Sequence, residues 1–245
     1  MNKNPVVILT VSVSRTETPE LTSLASKYPG VLLISLGDVA KDEDNKAAVD
    51  VAMQSFGRLD SLILNAGTLS PLGTTAQLKG KMEEVDQLFR VNYLSLISII
   101  SHAIPFLNSI ENKPEVKEGL TGRIILVSSG AATGGYVGWG PYSASKAALN
   151  SLARTLGNEE PSIVSVAVRP GVVDTQMQTA IRDTGAAHMS PSDHKKFSAL
   201  KTDGNLLPPH KPGGVLAGLA LAAESSLSGE FVSWDTTEMA KYMRV

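Results

Sequence analysis

One stretch of this chain sets two reactive side chains a helical turn apart: Tyr142-Ser143-Ala144-Ser145-Lys146. At that spacing in a helix, the phenol and the ammonium share one face. A phenol is neutral near pH 7 and a poor base, and an adjacent ammonium favours phenolate and lowers its pKa. Such a pair can pass a proton in an alcohol–ketone interconversion. Ser129 ends the preceding apolar run and could hydrogen-bond the substrate oxygen. By itself a tyrosine four residues before a lysine says little, because solvated helix faces show the spacing by chance.

The elements around this pair alternate. Val31 to Leu36 reads as a buried strand ending at Gly37-Asp38-Val39, followed by a charged helix over about Asp42 to Phe56. Leu59 to Asn65 is the next strand, stopped by Ala66-Gly67. Residues 80 to 109 carry apolar side chains at helical spacing (Val85, Leu88, Phe89, Leu96, Ile99, Ile100), with Asn92 the polar exception. A polar loop, 108 to 122, precedes a strand at Arg123 to Ser129. Pro141 opens a helix to about Asn158. Ile163 to Val168 is a strand stopped by Pro170-Gly171. Residues 176 to 210 look too irregular for core. A helix at 213–223 and a strand at 229–234 follow. Strands apolar on both faces, alternating with helices, predict one α/β domain over 1–245, a doubly wound, mostly parallel sheet.

Composition narrows the function. The chain has 245 residues, 22 basic and 24 acidic, for a net charge of −2. That gives no basic field for nucleic acid or an anionic membrane. There are no cysteines, and the four histidines show no metal-ligand spacing, so no metal site is expected. Apolar runs such as Val215 to Ala223 fall short of the roughly 18 residues that span a bilayer. Pro5 and the polar alternation from Thr10 argue against a signal peptide, so a cytoplasmic protein with no membrane association is expected.

Five motifs occur in one order: Asn65-Ala66-Gly67, Asn92, Ser128-Ser129-Gly130, Tyr142-x-x-x-Lys146 and Pro170-Gly171-Val172-Val173-Asp174-Thr175. In this the sequence resembles the short-chain dehydrogenases/reductases, over about Val31 to Trp234. Within that family it is most similar to the fungal benzil reductase and sepiapterin reductase-like branch, through Val127 to Ala132, Gly138 to Asn150 and Pro170 to Met177. The resemblance implies a Rossmann-like fold and NAD(P)-dependent reduction of a small ketone or diketone to an alcohol. It makes Tyr142 the general acid, and Lys146 the group that lowers its pKa and holds the nicotinamide ribose. Ser129 would polarise the carbonyl, and Asn92 would kink the long helix and anchor a relay water. Asn65, Ala66 and Gly67 would pass beneath the adenosine side of the cofactor, Asp38 and Val39 would contact adenine, and Pro170, Gly171, Val173 and Thr175 would pin the carboxamide. Segment 176–210 would be the substrate lid. Family analogy suggests a homodimer or homotetramer through the helices of Asn92 and Tyr142.

Arg15 bears on the cofactor. At the end of a second strand an arginine can neutralise a 2′-phosphate, where an aspartate would bind the free hydroxyl. Ser14-Arg15-Thr16 therefore leans toward NADP over NAD; an exposed arginine at a strand end is the other reading.

The start of the chain departs from the family. Its first strand should run into T-G-x-x-x-G-x-G, whose glycines let the backbone approach the pyrophosphate at a helix N-terminus. Here Val6 to Thr10 runs straight into Val11 to Arg15, with no glycine before Gly30. The turn and first helix are missing between Thr10 and Val11. Thr133-Gly134-Gly135-Tyr136-Val137-Gly138-Trp139-Gly140 fits the pattern, but it lies between Ser129 and Tyr142 and reads as an active-site loop. Residues 6 to 15 could form one long strand in the first place of the sheet, leaving the second empty. Alternatively, Val11 to Arg15 could take the second place. The single strand is favoured, because the central place needs burial on both faces and Val6 to Leu9 is the apolar part. The lost helix should leave apolar surface uncovered. A chain without the turn could also be a non-catalytic member that cannot bind cofactor.

Overall fold

The computed structural model describes residues 10–108 and 122–243. The expected strand residues Val6 to Leu9 and nearly all of the polar loop at 108–122 lie outside them. Six strands are described: β1 (Thr10–Ser14), β2 (Leu32–Leu36), β3 (Ser61–Leu64), β4 (Arg123–Val127), β5 (Val164–Arg169) and β6 (Phe231–Ser233). Every pairing is parallel, in two groups: β1–β2, and β3–β4–β5–β6.

The second group is wound on both faces. On one side α4 (Ser95–Asn108) and α5 (Gly140–Glu159) bury Leu96, Ile100, Leu107, Leu149 and Leu156 against Leu62, Ile124 and Ala167. On the other, α8 (His210–Ala222) buries Val215 and Leu219 against Ile125, Val166 and Val168. Strands covered twice must be apolar throughout, which is why β4 and β5 read as continuous hydrophobic runs.

β1 corrects the favoured reading of the chain start. It pairs with β2 from Thr10↔Leu32 to Ser14↔Leu36 and, among the described residues, not with β3. Val11 to Ser14 are half-buried, unlike β5, whose first five residues are fully buried. The alternation of valine and serine suits a strand covered on one face, so this segment takes the second place. The crossover to β2 contains α1 (Pro19–Lys27), which the pattern reading missed. Its signal was local: Thr18 caps the helix by accepting from the Leu21 N–H at 3.3 Å, and Pro19 stands in the first turn. The expected uncovered apolar surface is present, with Leu36 and Ile63 59% and 44% exposed.

The long helical pattern is one continuous run, Met82–Asn108, long and apolar enough by length and composition to cross a membrane. It buries Leu88, Leu96, Ile100, Ala103 and Leu107 within the fold. Its α-helical ladder breaks once: α3 (Met82–Phe89) passes through a π-turn at Arg90–Leu94 before α4. α2 (Asp42–Phe56) packs against α4 and links the two sheets. Ser98 donates to Asp42 Oδ1 at 2.6 Å, and Asn45 Nδ2 donates to Ser98 Oγ at 3.0 Å.

Candidate active site

Tyr142 and Lys146 stand one turn apart near the start of α5, both buried. Lys146 Nζ donates to the Val127 carbonyl at the end of β4, at 2.7 Å, and lies 5.9 Å from the centre of the Tyr142 ring. Burial pushes the ammonium down to about 8. Burial also pushes the Tyr142 phenol up, opposed by a hydrogen bond from Ser129. The expectation that Lys146 lowers the phenol is therefore corrected: desolvation of the phenolate is the larger effect here. A phenol kept protonated is matched to giving a proton, the direction that carbonyl reduction needs.

Ser129 follows β4 and is half-buried; its Oγ accepts from the Ala131 N–H at 3.1 Å. Its hydroxyl lies within hydrogen-bond reach of the phenol. Ser128, fully inside, ties β4 to α5 by donating to Asn150 Oδ1 at 2.7 Å.

Asn92 sits in the π-turn, fully buried. Its Oδ1 accepts from Thr68 N at 2.7 Å, while Nδ2 donates to Thr68 O at 2.8 Å and to Ser145 Oγ at 3.0 Å. Ser145 in turn donates to the Tyr142 carbonyl at 2.7 Å. The expected kink is this π-turn, a common device at functional positions. Both side-chain N–H bonds serve the protein and fix the loop after β3 to the helix of Tyr142.

The expectation that residues 176 to 210 are too irregular for core is corrected. Segment 176–210 contains two helices, α6 (Gln176–Thr184) and α7 (Pro191–Thr202), and buries Ile181, Met189 and Phe197. Ser190 caps α7 by accepting from the Asp193 N–H at 3.1 Å, with Pro191 in the first turn. The Phe197 ring stacks on Trp139 at 5.2 Å, and Trp139 meets Tyr142 edge-on at 5.7 Å. Lys201 of α7 donates to Asp174 at 2.9 Å. Neither Trp139 nor Phe197 stood out in the sequence. Trp139 lies three residues before Tyr142, but its partner comes from a distant, polar stretch.

The glycine-rich loop at 133–140 packs against the backbone at His188. Gly138 has φ +81°, and a β-carbon there would come within 2.4 Å of the His188 carbonyl oxygen. The glycine admits the backbone of segment 176–210.

The nucleotide-side residues gather at carboxyl ends of strands. Ser14-Arg15 follows β1 and Asp38-Val39 follows β2, joined by Gly37 N donating to Ser14 O at 3.0 Å. Asp38 is tied locally: its N–H donates to Asp44 at 2.8 Å and its Oδ1 accepts from Ala40 N at 3.0 Å. Asn65, Ala66 and Gly67 are exposed after β3. Pro170 and Gly171 follow β5; Gly171 has φ +76°, and a β-carbon there would strike Leu207 and the Trp234 indole. Val173 bridges to Leu207, and Thr175 begins α6.

The sequence pattern of short chain dehydrogenases matches residues 3–186. An uncharacterized oxidoreductase of Schizosaccharomyces pombe is 42% identical over 225 residues, covering 91% of this chain and 85% of that protein. The benzil reductase ((S)-benzoin forming) of Saccharomyces cerevisiae is 36% identical over 230 residues, 91% of this chain and 84% of the relative. A crystal structure of a Saccharomyces cerevisiae short-chain dehydrogenase/reductase superposes with a TM-score of 0.88 at 34% identity, over 96% of this chain and 89% of the other. This chain belongs to the short-chain dehydrogenase/reductase family. Within it, the chain falls in the benzil reductase and sepiapterin reductase-like branch.

Short-chain dehydrogenases/reductases use a nicotinamide cofactor, and its two ends meet different surroundings here. The nicotinamide end fits. A β-carbon on Gly67 would crowd Asn92 Oδ1 at 3.4 Å and Lys146 Nζ at 3.5 Å, so the glycine leaves open floor beside the ammonium. Lys146 gives one proton to Val127 and keeps two for hydroxyl groups. The pyrophosphate end does not fit. The family's glycine turn precedes the strand in the second place of the sheet, the place that β1 takes here, and residues 1–29 hold no glycine to make it.

Proposed function

We propose that this short-chain dehydrogenase/reductase is an NADP-dependent reductase of a small ketone or diketone, working through Ser129, Tyr142 and Lys146. The observation that carries this reading is the Ser129–Tyr142–Lys146 group, with Tyr142 and Lys146 buried and the phenol pushed up by that burial. When bound, a reduced nicotinamide supplies a hydride to the carbonyl carbon. Tyr142 gives its phenolic proton to the carbonyl oxygen as negative charge develops there. The Ser129 hydroxyl donates to the same oxygen and orients it. Lys146 holds ribose hydroxyls and returns a proton toward Tyr142. Asn92 positions Tyr142 through Ser145. Lid helices α6 and α7 keep water from the site. Arg15 ends a strand in the second place of the sheet, where a 2′-phosphate is met, and this supports NADP over NAD. Asp38 and Val39 take the adenine, and Asn65 to Gly67 with Pro170, Gly171, Val173 and Thr175 line the rest. The relative named for benzil supports a diketone substrate. Exposed Leu94 and Ile97 on the Asn92 helix suit assembly into a dimer or tetramer.

The test is NADPH oxidation with a panel of aromatic ketones and diketones, for the native chain and Tyr142→Phe. Reduction that survives Tyr142→Phe removes this mechanism.

A second reading is favoured by one observation, the phosphate end without a glycine turn. Several charge-assisted backbone bonds, each worth about 1.5–3 kcal/mol, are missing there. Under this reading the chain is a non-catalytic family member. Calorimetry with NADP and NAD separates the two: micromolar binding of either supports the reductase, and no binding at millimolar nucleotide supports the second reading.

A further inference from the structure

We propose that the indole N–H of Trp139 reads the substrate, donating to an oxygen acceptor next to the carbonyl that Tyr142 protonates. The inference rests on Tyr142 as the proton donor and adds a second polar contact to that site.

Trp139 is 5% exposed, and its Nε1 is buried with no hydrogen-bond partner among the described residues. Buried indole N–H groups ordinarily have a partner, so an orphan inside a site marks a place for an acceptor. Its surroundings are mostly rings. Tyr136 lies at 5.0 Å, Phe197 stacks at 5.2 Å, and Tyr142 meets it at 89° and 5.7 Å. Tyr142 is itself only 6% exposed. Trp139 touches both the Phe197 ring from lid helix α7 and the Tyr142 ring from α5. The indole therefore lies between the ring of α7 and the phenol.

That pairing specifies a class of substrate. Leu69, Ile181 and Met189 add apolar walls to the rings, which suits an uncharged, flat molecule. Two neighbouring donors, phenol and indole, suit two neighbouring acceptors. A vicinal dicarbonyl offers them; a monoketone of the same shape leaves the indole unpaired. Sites that hydrogen-bond a substrate group discriminate against analogues lacking it.

The experiment compares 1-phenyl-1,2-propanedione with propiophenone in the native chain, Trp139→Phe and Trp139→His. The diketone-to-monoketone ratio of kcat/KM should fall about five- to ten-fold in Trp139→Phe, the worth of one neutral hydrogen bond. It should recover in part in Trp139→His, which restores a ring N–H. Equal losses on both substrates would mean that Trp139 only packs, and would overturn the proposal. If the native chain reduces neither compound, the reductase reading fails separately, and binding decides. In a Trp234→Phe chain, Trp139 is the sole indole. The propanedione should then change its emission saturably, at concentrations where propiophenone does not. An unchanged emission, or the same change with both, overturns the proposal even where Trp139→Phe does not fold.

Discussion

Lys146 Nζ donates to the Val127 carbonyl at 2.7 Å, from a buried position on α5. Its pKa of about 8, against an ordinary 10.5, means that folding disfavours the charged form. Between about pH 8 and 10.5 the unfolded chain binds more protons than the folded one, so this lysine makes stability rise with pH across that window. Below pH 8 the penalty is constant. Lys146→Met should therefore stabilise the protein by about 2–3 kcal/mol at pH 7 and flatten the rise, read from urea midpoints between pH 7 and 10. Reductase activity should decline as pH rises through about 8 in the native chain and be lost in the variant.

Tyr142→Phe keeps the ring that packs on Trp139 and removes only the hydroxyl. Melting temperature should stay within a few degrees of the native value, while kcat for ketone reduction falls about 10²- to 10⁴-fold. Steady-state kinetics and a thermal scan check both parts.

Asn92 satisfies Thr68 and Ser145 together. Asn92→Leu leaves the Thr68 backbone groups and the Ser145 hydroxyl short of partners, a cost of about 2–4 kcal/mol. Chemical denaturation should show it. Tyr142 should also lose its position, so kcat should drop even where the variant is fully folded.

Arg15 offers a test of cofactor choice that needs no turnover. Arg15→Ala should weaken NADP binding about ten-fold or more, as expected for loss of a charged hydrogen bond to phosphate, and leave NAD binding nearly unchanged. Titration calorimetry with both nucleotides measures the ratio; an equal effect on both places the 2′-phosphate elsewhere.

Gly138→Ala distinguishes the lid role of the loop at 133–140 from a phosphate-binding one. The added β-carbon meets the His188 carbonyl and a φ of +81°. A destabilisation of about 2–3 kcal/mol is expected, with faster proteolysis of segment 176–202. An unaltered stability would mean that the lid backbone does not rest on Gly138.

Local chemistry made much of this legible in advance. The helix at Asp42–Phe56 begins with three acidic residues and ends on Gly57 in the left-handed region, and it was read to the residue. The doubly covered strands declared themselves by continuous apolar runs. Thr18-Pro19 signals the start of α1, but a short, largely exposed helix with no buried residues carries no apolar stripe to mark the rest of it.

The sequence by itself determined the family, the order of Asn92, Ser129, Tyr142 and Lys146 and the absence of a glycine turn after Thr10, since these are matters of residue type and spacing. It did not determine which place in the sheet Thr10 to Ser14 would fill. That depended on backbone pairing with Leu32 to Leu36, a choice between partners distant in sequence. Nor did it determine the state of Tyr142. A lysine four residues away argued for a lowered phenol, and only the tertiary structure supplied the burial that raises it. Burial is a sum over surroundings drawn from the loop of Leu69, the helix of Leu88 and the helix of Phe197, and no local spacing encodes that sum.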